Sequence, residues 1–156
     1  MPDRIASRNR RWRNAIMTAR LLPPYLIFAV LKRLVPLPRL VRWAWLRPVR
    51  IRDRAVEDTA LRCTVRLRNW FGADRGDCLQ GSLALYRVLS HTGSNPRLVV
   101  GFRRDSSAVG GHAWVEVDGA CVIEAAPPLR GFVPAFSFGP EGALSLPADA
   151  TGQQAI

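Results

Sequence analysis

At Asn95-Pro96 the hydrophobic pattern of this chain changes its period, and that change restricts the fold more than any other feature. Before it, apolar residues recur at helical spacing. After it they alternate in three short runs: Arg97-Leu98-Val99-Val100-Gly101-Phe102, His112-Ala113-Trp114-Val115-Glu116-Val117 and Cys121-Val122-Ile123-Glu124. The connections between these runs, around Asp105 to Gly111 and at Asp118-Gly119, are too short to hold a crossover helix, so the strands must pair antiparallel. Helices followed by an antiparallel sheet place the chain in the α+β class. A chain of 156 residues can bury roughly 68 to 70% of its unfolded surface, enough for one core with no disulfide or structural metal.

Two helices precede the strands. Val56, Ala60, Cys63, Val65, Leu67 and Trp70 form one apolar stripe that stops at Phe71-Gly72, and Cys63 on that stripe reads as a small buried hydrophobe. A second helix has Asp77 as its N-cap and Gln80 three residues on to complete a capping box. Leu79, Leu83, Leu85, Tyr86, Val88 and Leu89 form its buried side, and His91-Thr92-Gly93 its end. The first fifty residues read as short helical pieces cut by Pro23-Pro24, Pro36, Pro38 and Pro48. Residues 126 to 156, with five Pro and four Gly, read as an irregular wrap or tail. The expected organisation is a single domain with an Arg-rich helical segment at 1–53, a core at 54–125 and the wrap at 126–156.

The net charge of +11 is concentrated at one end. Residues 1 to 54 carry 14 Lys/Arg against two acids, a net +12, while residues 55 to 156 carry nine Arg against ten acids. Such a field attracts nucleic acid, anionic lipid or an acidic protein, although one Lys against 22 Arg is also what genomic base content alone can produce. The apolar run Leu21 to Leu31 is eleven residues long and holds two prolines, whereas a bilayer span needs about 20, so no transmembrane span is expected. Cys63, Cys78 and Cys121 are odd in number and widely spaced, with no CxxC unit. A reduced, cytoplasmic location follows as the expectation, with no metal site.

Cys78 and His112 carry the candidate chemistry. Cys78 falls at the first helical position, where unpaired amides and the helix dipole favour a thiolate, although a carboxylate at Asp77 opposes this. His112 stands behind Gly110-Gly111 at the opening of a strand, placed to act as a general base, and period two puts Trp114 and Glu116 on its face. The imidazole needs an orienting acid, for which Glu124 on the next strand is the choice and Glu116 and Asp118 the reserves. A two-residue turn at Asp118-Gly119 would pair Ala113 with Glu124 and send that carboxylate to the wrong face. A three-residue loop of Val117, Asp118 and Gly119 would set Glu124 across from His112, and this register, or a bulge with the same effect, is the one expected.

Helix-borne Cys, strand-borne His and an acid one strand later recur in papain-like and transglutaminase-like enzymes. More narrowly, Cys78-Leu79-Gln80-Gly81-Ser82-Leu83-Ala84-Leu85-Tyr86 and Gly111-His112-Ala113-Trp114-Val115-Glu116-Val117-Asp118-Gly119 resemble the two hallmark segments of the lasso peptide leader peptidase family, over about residues 54 to 125. The resemblance implies a transglutaminase-like (papain-like) cysteine protease fold and a Cys78, His112, Glu124 triad, although the family usually has Asp at the third position. It implies removal of the leader from a ribosomally made precursor peptide through a thioester acyl-enzyme, without a cofactor. Gln80 and the Cys78 amide would serve the oxyanion, and Gly111 and Trp114 would lie beside the substrate. A separate leader-recognition protein and an ATP-dependent macrolactam cyclase are the implied partners. The alternatives are an acyltransferase or amidase on the same scaffold, or a basic RNA-binding or assembly protein in which Cys78 and His112 are incidental.

Overall fold

A computed structural model describes residues 2–49, 51–71, 78–105, 108–122 and 131–146. Four helices come first: α1 (Pro2–Leu31), α2 (Leu37–Ala44), α3 (Arg54–Phe71) and α4 (Cys78–His91). The strands β1 (Arg97–Asp105), β2 (Ala108–Val117), β3 (Ala120–Cys121), β4 (Val133–Phe138) and β5 (Leu144–Ser145) follow, forming among the described residues one antiparallel sheet in the order β3-β2-β1-β4-β5. The α+β class and the antiparallel pairing are as the sequence requires.

The buried helix α4 organises the molecule. From Gln80 to Leu89 nearly every residue is inaccessible. One side of α4 takes α1, α2 and α3, and the other takes the sheet face carrying Leu98, Val115, Val117 and Phe138. Met17, Leu21, Tyr25 and Phe28 of α1 belong to this same core. Fully burying a side chain of this size contributes about 1.5–3 kcal/mol, so α1 is held as firmly as the elements it covers.

That packing explains why the expected cut at Pro23-Pro24 does not occur. The helix runs through both prolines to Leu31. Each proline costs a helix interior about 3 kcal/mol, but Leu21 on one side of the pair and Tyr25 and Phe28 on the other are buried on one face, and a break would release them. As a result Arg8–Leu31 is, by length and composition, long and apolar enough to cross a bilayer, which the shorter apolar run did not suggest.

The strands also exceed expectation. β1 and β2 extend through the stretch read as their loop, pairing as far as Asp105 with Ala108. The stretch read as an irregular wrap supplies β4, which pairs with β1, and β5 beyond it. Asp118 and Gly119 both have positive φ, 56° and 78°, forming a two-residue turn that pairs Val117 with Ala120 and Glu116 with Cys121. The expected three-residue loop is therefore not formed. Asp-Gly prefers the tighter turn because both central positions need left-handed backbone.

Candidate functional site

Cys78 is the first residue of α4, where the amides of the opening helical turn lack intrahelical acceptors. Its sulfur is hydrogen-bonded with the His112 imidazole and with the backbone of Ala113. One turn further along, Ser82 Oγ donates to the Ala113 carbonyl at 2.9 Å. Alternate residues of an antiparallel strand turn their N–H and C=O to the same edge. The Val115 carbonyl accepts from Val122 N–H on the β3 side, so the polar groups of Ala113 point to that side as well. At Ala113, therefore, the edge of β2 meets the first turn of α4, and Cys78 and Ser82 clamp the two together.

His112 lies within β2, opposite Gly101, and not at the strand opening that the sequence suggested. Its half-buried ring stacks with Trp114 at 6.2 Å between centroids and meets Phe132 at 5.2 Å. Trp114 is 4% exposed and donates from Nε1 to Glu116 Oε1 at 2.9 Å, so His112, Trp114 and Glu116 do share one face. Gly101 makes room for this arrangement. A Cβ there would lie 2.7 Å from Trp114 Cη2 and 2.7 Å from the Val133 carbonyl oxygen, too close for any side chain. Gly111 is exposed, with the Phe102 ring beside it.

The electrostatics favour a thiolate. Burial pushes the Cys78 thiol up, but the hydrogen bonds with His112 and Ala113, and the positive charges of His112 and Arg68, outweigh it and hold the thiol below its ordinary value. Arg68 reaches this position by laying its methylenes across Gly81, 3.4 Å from where a Cβ would sit. A sulfur of lowered pKa bonded to an imidazole at a helix start is equipped for nucleophilic attack on an acyl carbon and for proton transfer to and from the leaving group.

The remaining expected residues divide. Glu124 and Asp77 lie outside the described residues. The register that was to set Glu124 across from His112 is replaced by the two-residue turn, whose pairing continues through Val122 to Val115. Of the reserve acids, Asp118 binds Arg52 at 2.6 Å and Glu116 holds the Trp114 indole. Gln80 is 4% exposed and its Oε1 has no hydrogen-bond partner, so the capping box is not made. Cys63 is fully buried on α3, as its place on the apolar stripe implied. Among the described residues no three His, Cys, Asp or Glu side chains are grouped to hold a metal.

Sequence reasoning did not single out Ser82, Arg68, Gly101 or Phe132. Only Gly101 carried a readable signal, since a glycine inside an apolar strand often marks close approach by another group. The others depend on which elements meet. A cavity of about 310 Å³ lined by Arg13, Met17, Ile51 and His91 lies at the far end of α4 and takes no part in this site.

No curated protein and no solved structure gives a significant match to the chain. The family model described as the transglutaminase-like superfamily matches residues 19–137, from the middle of α1 to the end of β4, and so takes in Cys78 and His112. With most of its length under that match and its cysteine and histidine meeting at the junction of helix and sheet, the chain belongs to the transglutaminase-like superfamily.

Proposed function

We propose that this protein is a cysteine peptidase that removes the leader from a ribosomally synthesised lasso peptide precursor, with Cys78 as nucleophile and His112 as general acid and base. The superfamily is one of cysteine peptidases and acyltransferases. The observation that carries the reading within it is the hydrogen bond between the lowered-pKa Cys78 thiol and His112. The two sequence segments around these residues supply the narrower likeness to leader peptidases.

In the proposed cycle the Cys78 thiolate attacks the carbonyl at the junction of leader and core. The tetrahedral oxyanion is held by the Cys78 backbone amide and by the Gln80 side-chain amide. Collapse breaks the C–N bond as His112 donates a proton to the departing amine, leaving the leader as a thioester on Cys78. Water, giving its proton to His112, hydrolyses that thioester and frees the leader as a carboxylic acid, the core having already departed with a free α-amine when the C–N bond broke. Gly111 and Trp114 border the substrate, and Glu124 would orient the imidazole only through a bulge after Val122 that returned its carboxylate to the face of His112. A separate leader-recognition protein would present the precursor, an ATP-dependent cyclase would take the freed amine, and the setting would be cytoplasmic.

Incubating the protein with a precursor, with and without its recognition protein, and weighing the products tests this directly. Release of intact leader and core, abolished in Cys78→Ala and in His112→Ala while circular dichroism is unchanged, is the expected result. A second reading, acyl transfer to an amine, is favoured by the aromatic rings of Trp114 and Phe132 against the imidazole, which restrict water at the base. Added amine would then appear in the leader product in place of water.

A further inference from the structure

α1 has two apolar faces. Met17, Leu21, Tyr25 and Phe28 form the one packed into the core. At ~100° per residue, Trp12, Ile16, Ala19, Pro23, Leu26, Ile27 and Val30 fall within an arc of about 100° on the opposite side. All seven are exposed, Trp12 at 68%, Ile27 at 54% and Val30 at 61%. The apolar surface continues past the helix through Leu34, 75% exposed, to Trp43 on α2, 55% exposed, across a groove between Ile27 and Trp43. A solvated helix face ordinarily carries charge, so an unbroken aliphatic and indole stripe marks a surface that something covers.

The charges beside the stripe indicate what covers it. Arg13 and Arg20 border it on one side, Arg11 on the other and Arg8 at its start, and Arg39 and Arg42 flank Trp43 on α2. From Arg8 to Val49 the sequence has ten Lys/Arg and no Asp or Glu. A second copy of the chain would bring the same positive field against it. A nucleic acid would satisfy the arginines but leave the isoleucine, valine and leucine uncovered. Spanning a bilayer would strip Leu21 and Tyr25, both at most 1% exposed, from the core.

We propose that α1 and α2 dock the protein on an anionic lipid surface, α1 lying in the plane of the interface. Its outer stripe would sink into the boundary between headgroups and acyl chains, and the arginines would extend to lipid phosphates. The core contacts of the inner face stay intact, and Cys78 and His112 remain in the aqueous part of the molecule. This proposal stands apart from the peptidase reading, because it concerns a different surface and either can fail alone.

Flotation of the full chain with phosphatidylglycerol-rich vesicles, against vesicles of phosphatidylcholine alone, tests it. Binding to the anionic vesicles, weakened by salt and accompanied by a blue shift of tryptophan emission, is expected. The double substitution Ile27→Glu, Val30→Glu should reduce partitioning by at least about tenfold, and Trp12→Gln, at a separate exposed position, should reduce it as well. Thermal unfolding and the alkylation rate of Cys78 should not change in either variant. Failure to bind anionic vesicles at low salt overturns the proposal. So does binding that both variants retain in full, which would leave arginine attraction alone, or an oligomer that the double variant dissociates, which would make the stripe a contact between copies.

Discussion

A half-buried thiol would by itself be a poor nucleophile, since burial disfavours the charged form. Cys78 escapes this because its neighbours supply two hydrogen bonds and two positive charges, and together these hold the thiol below its ordinary value. The sign is testable. With the pKa lowered, the thiolate persists at pH values where an ordinary thiol is protonated, and it is lost as pH falls through the lowered value. Iodoacetamide alkylation of Cys78 followed against pH should therefore rise earlier than that of a free thiol. His112→Ala removes both the bond and the charge of the imidazole while burial remains, and should move the rise to higher pH. Gly101 tests the shape of the site. Gly101→Ala must displace either the Trp114 ring or the Val133 carbonyl. Turnover is expected to fall at least about tenfold through misplacement of His112, with Cys78 still alkylated; unchanged turnover would show that the stacking of Trp114 on His112 is dispensable.

Among the elements, α4 and β2 decide the site, and the contact between them is made by few groups. Ser82 is 1% exposed, and its hydroxyl is bonded to the Ala113 carbonyl beside the Cys78 contact. Ser82→Ala leaves that carbonyl short of a buried donor and should lower stability by about 1–3 kcal/mol in urea unfolding. It should also slow turnover more than Cys78 alkylation, because the clamp holds helix to strand but does not create the thiolate. Ser82 was not readable beforehand as a site residue, since a serine inside a helix has no fixed partner until a strand is brought against it. The hairpin of β2 and β3 was readable in kind but not in register. Asp118-Gly119 is a strong two-residue turn signal and forms that turn, whereas setting Glu124 across from His112 requires the looser three-residue loop. Local backbone preference prevails there because the turn settles it without reference to the site.

For the whole molecule, the boundary near residue 53 divides composition but not the core. Leu21 in α1 and Leu83 in α4 are both fully buried in one hydrophobic cluster with Val115 of the sheet. Leu21→Ala should therefore cost about 2–5 kcal/mol, the same range as Leu83→Ala, with one cooperative transition in each case. An N-terminal segment that merely decorates the catalytic core would instead unfold separately, or leave the main transition unmoved. Tryptophan fluorescence and far-ultraviolet circular dichroism recorded through the same urea titration distinguish the two outcomes.

By itself the sequence determined that helices precede an antiparallel hairpin, that a helix starts at Cys78 and that a strand carries His112. Each of these follows from local periodicity, turn chemistry and connection length, which act over a few residues. The tertiary structure alone decided that α1 continues through Pro23-Pro24, that β4 closes on β1, that Gly101 accommodates Trp114 and that the sulfur of Cys78 meets His112. Those outcomes depend on burial shared among residues far apart in the chain, and burial of that kind has no value until the elements have met.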